Sequence, residues 1–366
     1  MTKARIPKVL LLSHDCDLVL YQTFKALNDN GKAEITIVAP DEAVLPVDSM
    51  KRVAMPAIKS KFTLKAICKL RHVIKALRPD IIFAVSTSAL STAIQATRCM
   101  RHAPAIVGYR GTQARVHPFD PTYRMALLNK RVAHIVCETP DICQYLSGYI
   151  PAEKLSGRPK PFMRQWVQNA MAHPVAIGKE GDQIKIIYIG ITKGRPHKGL
   201  PILLKAAEIL ADEGLKISLT VVGDAEPHDI QSAPQDIVTF TGNRPDAMHY
   251  LPGADVFALP SLRDASPRVI REAQACGVPC VVSDIPGARD LITTGNDPGG
   301  ILVPPGDAQA MAQAIKDIAL DPEVRARMSA AALRNIDDNY AMADYVEYFD
   351  NLFRKIAGQS GRWKNN

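Results

Sequence analysis

Two carboxylates eight residues apart, Asp264 and Glu272, stand in the stretch LPSLRDASPRVIREAQACGVP at 259–279. An apolar run ends at Pro260. Ser266-Pro267 then reads as a helix start, with Ser266 as the N-cap and Pro267 in the first helical position. Gly277 stops that helix after Cys276. A helix start offers unpaired N–H groups and a partial positive charge, which suit a phosphate. Glu272 lies about a turn and a half inside the helix and Asp264 in the loop before it, so one carboxylate can stand on each side of a ligand. Spacing alone leaves a second reading open, in which both are solvated or pair with Arg268 and Arg271. A second group is cationic: Lys193, Arg195, His197 and Lys198 crowd the loop that follows Gly190. Such a loop suits an anion, and a solvated basic loop is the alternative.

Positioning these groups requires strands that end where the loops begin. Short apolar runs alternate with helical spacing along the whole chain. Strands are expected at 9–13, 34–39, 81–86, 104–109 and 133–138, and again at 184–190, 216–223, 237–242, 255–260 and 279–284. Helices are expected at 18–28, 62–78, 88–101, 121–130 and 140–147, then at 199–213, 267–276, 307–319, 323–336 and 341–357. Continuous β-branched strands alternating with helices mean parallel sheets covered on both faces. The fold class is α/β, with two doubly wound Rossmann-like domains facing across a cleft. Residues 1–165 form the first domain, 166–182 a Pro- and Gly-bearing linker and 183–340 the second domain. The terminal helix within 341–366 is expected to pack back onto the first. Ligands of such sheets bind beyond the carboxyl ends of the strands, which is where the loops after Gly190 and Pro260 lie.

The 366 residues carry a net charge of +8, unevenly spread. Residues 1–165 hold 25 basic and 12 acidic side chains, and residues 166–366 hold 20 and 25. Nine Lys or Arg and no acid lie between Asp48 and Asp80. In the helix there, Leu64, Ile67, Ile74 and Leu77 make an apolar face, and Lys61, Lys65, Lys69 and Lys75 a basic one. The basic face is read as meeting an anionic membrane; an ordinary surface helix is the bland alternative. Nucleic acid is disfavoured because Phe62 is the only aromatic in the stretch. No run approaches the ~20 apolar residues of a membrane span. The opening MTKARIPKVLLLSHDCD reads as a buried strand rather than a leader. The seven cysteines form no C-x-x-C pair and read as reduced. There is no D-x-D pair in a donor loop and no His cluster at ligand spacing, so no metal and no cofactor is expected.

Several motifs together resemble the retaining glycosyltransferases of family 4, which have the GT-B fold. They are Asp264-x7-Glu272 followed by ACGVP and SDIPGARDLI, GDAEP at 223–227, FTGNRPDAMHYLPGADVFALPS at 240–261 and GGILVPPGDAQAMAQAI at 299–315. The match covers most of 184–336. The first half matches weakly, with IVGYRGTQARVHPFDP at 106–121 its clearest piece. The resemblance implies that Glu272 holds the ribose hydroxyls of a nucleoside diphosphate sugar, UDP- or GDP-linked. It places Asp264 beside the transferred sugar, where the family usually has the longer Glu. It brings the backbone of Ser266, Pro267, Arg268 and Val269 to the phosphates, with Gly190, Gly223 and Asp224 lining the donor site. It gives the donor diphosphate to Arg195 and Lys198; the usual Arg after the strand-ending Gly is replaced by Ile191. Fixed cations at that phosphate would stabilise the leaving charge without a metal.

The same resemblance puts the acceptor site in the first half. Arg110 stands where many members have His and is able to bind a phosphate or an acidic sugar, or to serve a structural ion pair. Arg115 and His117 are nearby alternatives. His14 and Asp15 replace the usual Gly-Gly after the first strand and are candidates for acceptor contact, or simply caps. The expectation is a metal-independent, retaining glycosyltransferase acting on a lipid-linked or lipopolysaccharide-type glycan, located in the cytoplasm and peripheral to the membrane. Its partners would be the sugar donor, the glycan or glycolipid acceptor and an anionic surface, with no nucleic acid. A GT-B epimerase and a non-catalytic nucleotide-sugar binder are the alternatives.

Overall fold

The computed structural model describes residues 5–12, 17–40, 50–58, 60, 62–111, 115–178, 184–264, 266–292 and 298–359. His14, Asp15 and Lys61 lie outside the described residues. The chain divides into two compact units, one of residues 1–161 with 342–366, the other of 162–341.

The first unit runs β1 (Lys8–Leu12), α1 (Leu18–Asp29), β2 (Glu34–Ala39), β3 (Lys51–Ala54), α2 (Leu64–Leu77), β4 (Ile81–Ala84), α3 (Thr87–Ala96), β5 (Ala105–Arg110), α4 (Pro121–Arg124), β6 (Val132–Cys137), α5 (Pro140–Ser147) and β7 (Leu155–Gly157). Its seven strands are parallel, in the order β3-β2-β1-β4-β5-β6-β7. Alternate residues of a strand point to opposite faces, and here both faces are buried. Val9 and Leu11 of β1 join Ile81 and Phe83 of β4 on one side, while Leu10, Leu12, Ile82 and Ala84 face the other.

The second unit holds α6 (Arg164–Ala172), β8 (Ile184–Ile189), α7 (Leu200–Asp212), β9 (Ile217–Val222), α8 (Pro227–Ser232), β10 (Val238–Phe240), β11 (Val256–Leu259), α9 (Arg268–Ala275), β12 (Cys280–Ser283), α10 (Pro286–Ile292), β13 (Gly300–Val303), α11 (Ala308–Ala319) and α12 (Pro322–Asn339). Its six strands are also parallel, ordered β10-β9-β8-β11-β12-β13. The last helix, α13 (Met342–Gln359), returns to the first unit. Its Phe349 and Phe353 pack on Phe24 of α1 and Phe83 of β4, with ring centroids 5.0–6.2 Å apart across that cluster.

Within the stretch read as a linker, α6 buries Ala170 and packs Val167 against the core of the second unit. Two expectations change. On α2 the buried stripe is Ala66, Leu70, Val73 and Ile74. Leu64, at the helix's first turn, lies past the edge of the packing and is 62% exposed. The helix at 267–276 is one residue shorter at each end. Among the described residues no helix is long and apolar enough to cross a membrane.

Candidate active site

In each sheet the strand order reverses once, between β1 and β4 and between β8 and β11. That reversal opens a crevice beyond the carboxyl ends, where open α/β sheets bind ligands. In the second unit the two loops leaving the reversal follow Gly190 and Pro260, and they carry the sequence's two candidate groups.

Those loops are bound together by backbone. Pro196–Lys198 form one 3-10 turn, closed by Gly199 at φ +72°, a conformation that favours glycine. A Cβ at Gly199 would lie 2.1 Å from the Pro260 carbonyl oxygen, so only glycine permits this approach. The Leu262 N–H donates to the His197 carbonyl at 2.8 Å. Lys198 Nζ consequently reaches Asp264 Oδ2 at 2.5 Å, with the two side chains 20% and 17% exposed. Arg195 is exposed on the same turn.

The floor is just as tight. Gly223, at φ +133°, lies against Gly190, where a Cβ would stand 2.2 Å from the Gly190 oxygen. The Asp224 carbonyl accepts the N–H groups of Thr192 and Lys193 at 2.9 and 3.1 Å, and its carboxylate accepts that of Asn243 at 3.0 Å. Asp224 thus shapes the loop by holding it from beneath. Under Gly190 sits a residue that sequence reading missed. The Tyr188 hydroxyl is fully buried without a hydrogen-bond partner, and burial, then the charge of Asp264, pushes its pKa up. Ser261, two residues past β11, also buries an unpartnered hydroxyl. Buried polar groups normally find partners; their only sequence signal was a polar atom at a strand end. The imidazole of His197 is held below its ordinary pKa by burial and then by the cations Arg263 and Lys198.

The helix start differs from expectation. Pro267 occupies the N-cap, α9 begins at Arg268, and no side chain caps it. Pro267 has φ −69° and ψ 101°, which keeps it extended and leaves Ser266 outside the helix. Ser266 and Val269 are half-buried, Pro267 is buried and Arg268 is exposed. Glu272 is half-buried inside α9. Burial raises its pKa against the pull of Arg268 and Arg271. Arg271 itself lies 5.5 Å over the Tyr340 ring.

The first unit has its own polar cluster at strand carboxyl ends, which no local sequence signal announced. Lys160 Nζ stands 3.2 Å from Asp17 Oδ2, 3.7 Å from Glu138 Oε2 and 5.2 Å from the centre of the Tyr109 ring. The Tyr109 hydroxyl donates to Glu138 Oε2 at 3.1 Å. Burial would raise the carboxyl of Asp17, yet Lys160 and the N–H groups of Val19 and Leu20 hold it below its usual range. Tyr109 is pushed well up by burial and by the surrounding negative charge. Arg110, the last residue of β5, is 8% exposed, and its carbonyl accepts the Glu138 N–H. Arg115 and His117 are exposed in the next loop, where His117 packs on Tyr123. Lys65, Lys69 and Lys75 are exposed along α2.

With this geometry in hand, known proteins supply the wider context. Residues 183–321 match the family described as Glycosyl transferases group 1. A Campylobacter jejuni enzyme, N,N'-diacetylbacillosaminyl-diphospho-undecaprenol alpha-1,3-N-acetylgalactosaminyltransferase, is 26% identical over 179 residues, 47% of this chain and 46% of that one. The chain thus spans less than half the length of this relative. A Rickettsia africae glycosyltransferase structure superposes with a TM-score of 0.76, covering 97% of this chain and all of that one at 16% identity. Anabaena HepE in complex with UDP gives 0.74, covering 95% and 100% at 18% identity. The fold is the GT-B fold of such glycosyltransferases, and residues 183–321 are a domain of the glycosyl transferases group 1 family.

Proposed function

We propose that the chain is a retaining, metal-independent glycosyltransferase. It moves a sugar from a nucleoside diphosphate sugar to a lipid-linked or lipopolysaccharide-type glycan at the cytoplasmic face of a membrane. The observation that carries this reading is the joining of Lys198 and Asp264 at the strand-order reversal of a group 1 domain, with Arg195 beside them. Anabaena HepE binds UDP, which makes UDP-linked sugars the first donors to test and GDP-linked ones the second. The Campylobacter relative is named for a sugar held on a diphospho-undecaprenol, which supports a lipid-linked acceptor.

In this reading Glu272 receives the ribose hydroxyls, and Arg195 and Lys198 meet the diphosphate. Ser266, Pro267, Arg268 and Val269 approach the phosphates and sugar with their backbone, and Gly190 and Gly223 leave room for them. As the bond from the sugar's anomeric carbon to the β-phosphate oxygen breaks, its electron pair passes to that oxygen, and the fixed cations stabilise the charge. The acceptor oxygen bonds to the same carbon on the same face, its proton goes to the leaving phosphate, and the nucleoside diphosphate departs. Arg110, Arg115 and His117, with His14 and Asp15, remain the acceptor-side candidates. The basic face of α2 holds the enzyme on the membrane.

A transfer assay on Glu272→Ala and Lys198→Ala tests the site. Lys198→Ala should lose at least ~100-fold in kcat/KM, the scale of removing an electrostatic contact to developing charge, and Glu272→Ala about 10- to 100-fold, the scale of hydrogen bonds to a charged group. Near-unchanged turnover in both would refute it.

A further inference from the structure

Phe119 is the most exposed large apolar side chain among the described residues, at 92%. It does not hang on a loose loop. The Asp120 carboxylate accepts the Thr122 N–H at 2.8 Å and caps α4 just behind it. The Tyr123 hydroxyl donates to the Arg115 carbonyl and the Val116 N–H to the Tyr145 hydroxyl, both at 2.8 Å. Arg124 Nε donates to the Pro118 carbonyl at 3.3 Å. The loop thus spends ordered contacts on presenting a phenyl ring to water, against the usual tendency to bury it.

The surroundings name the partner. Phe119 borders an open depression of about 710 Å³ shared with Arg98, Arg124 and Asn129. Asn129 also borders a second cavity of about 300 Å³, walled by Leu127, Leu128 and Ile150, with Lys130 and Lys154 on its lining. Between Asp48 and Glu138 the sequence has 16 basic residues and 2 acidic ones, Asp80 and Asp120. Asp80 is fully buried, accepts the Lys8 N–H and pairs with Arg5, which leaves Asp120, the half-buried α4 cap, as the one acid of this stretch near the surface. Arg71 of α2 donates to the carbonyls of Ala96 and Arg98 at 3.1 and 2.8 Å, so the basic helix continues directly into this patch. An apolar ring raised among cations fits the boundary between phosphate headgroups and acyl chains. A nucleic acid would call for successive stacking aromatics, and the depression offers one.

We propose that Phe119, with Arg98 and Arg124, forms the docking point of this unit on an anionic phospholipid bilayer, the ring entering below headgroups whose phosphates meet the two guanidinium groups. This deepens the proposed function, since it rests on the reading of a membrane-side acceptor. It differs from the α2 contact in requiring insertion as well as charge.

The test is co-sedimentation of the full chain with vesicles of phosphatidylcholine, alone or mixed with phosphatidylglycerol. Variants are Phe119→Ser, Phe119→Trp, the pair Arg98→Ser with Arg124→Ser, and the pair Lys65→Ser with Lys69→Ser. Wild type should bind the mixed vesicles in preference to the neutral ones. Phe119→Ser should lose about tenfold in partition, the worth of one buried aromatic ring. Phe119→Trp should retain binding, with its fluorescence quenched by brominated acyl chains, and the arginine pair should lose the preference for anionic lipid. The proposal is overturned if Phe119→Ser binds as wild type while the α2 pair does not, if binding is equal on neutral vesicles, or if the chain binds a DNA duplex and no vesicle. A UDP-induced rise in melting temperature, shared by all variants, certifies folding. Its absence in wild type counts against the donor reading alone, because the vesicle comparison does not use the donor.

Discussion

Replacing Asp264 by Asn should tighten nucleotide binding while slowing transfer. Lys198 Nζ lies 2.5 Å from Asp264 Oδ2, so a diphosphate that binds here must compete with a carboxylate for this ammonium and approach that carboxylate's negative charge. An ion pair in open water is worth about 0–1 kcal/mol, and a hydrogen bond to a charged group about 1.5–3 kcal/mol. With the side chains 20% and 17% exposed, this pair falls between those limits. A competition of about 1–2 kcal/mol corresponds to roughly 5- to 30-fold in affinity. Calorimetric titration of UDP into Asp264→Asn should show that gain, and raising the salt should shrink it. Adding Lys198→Ala should abolish the gain, because the two substitutions share one interaction. Transfer should fall in the same variant, since Asp264 is assigned to the sugar side. Unchanged or weaker UDP binding by a folded Asp264→Asn protein would refute the reasoning.

Two further outcomes test the supports of each unit. Gly199→Ala should cost UDP binding at least ~tenfold and lower the melting temperature: a residue with a side chain pays about 1–2 kcal/mol at φ +72°, and its Cβ would also meet the Pro260 oxygen at 2.1 Å. Gly194→Ala, at φ +70° with nothing within 4 Å, should show the conformational cost alone; equal effects in calorimetry and UDP titration would contradict the close-approach argument. Lys160→Met should destabilise the first unit by about 3–5 kcal/mol, the usual cost of stranding buried charge, or roughly 6–20 °C in melting temperature. In wild type the folded pKa of Asp17 is lowered, so its stabilisation is present above the ordinary carboxylate range and lost as pH falls through the folded value. In the variant the pull of Lys160 on Asp17 is gone and burial is opposed only by the N–H groups of Val19 and Leu20, so acid costs the variant less than the wild type. Circular dichroism melts should therefore converge between about pH 7 and pH 4, and a constant gap would contradict the assignment.

What the sequence disclosed was whatever is periodic or local. The strands flanking each reversal are continuous apolar runs, and β2 and α5 fall at their expected positions. Lys198 was legible only through the family resemblance, which gives it the donor diphosphate, and the left-handed turn at Gly199 was not read. Elements whose stability comes from neighbours were not readable. β3 is four residues, KRVA, largely exposed at a sheet edge, and β7 is three. β13 hides in GILV behind two glycines whose added Cβ atoms would strike Cys280 and Ala332. The Lys160 cluster was beyond reach for a different reason: Asp17 and Lys160 are 143 positions apart, and nothing local marks either as a partner. The start of α9 failed through competing local rules, since Ser-Pro signals both a capped start and a proline cap.

The charge division along the chain becomes intelligible at two length scales. In the second unit one cation at the crevice is balanced at contact range, since Asp264 meets Lys198. That pair projects little field and acts on a phosphate only once it has arrived, which agrees with its place in the half that carries 20 basic and 25 acidic residues. In the first half the excess is not balanced in that way. Its buried cation, Lys160, is answered by two carboxylates, whereas the exposed Lys65, Lys69, Lys75, Arg98, Arg101 and Arg124 lie in sequence that holds only the two engaged acids. Screening removes interactions beyond about 8–10 Å at physiological salt, so charges spread along α2 and the Phe119 loop act only at short range. In the proposed reading that range is met where many phosphates are presented together, at a membrane surface. The net charge of +8 describes neither half of the chain: one holds the paired Lys198 and more acids than bases, the other an excess of exposed cations.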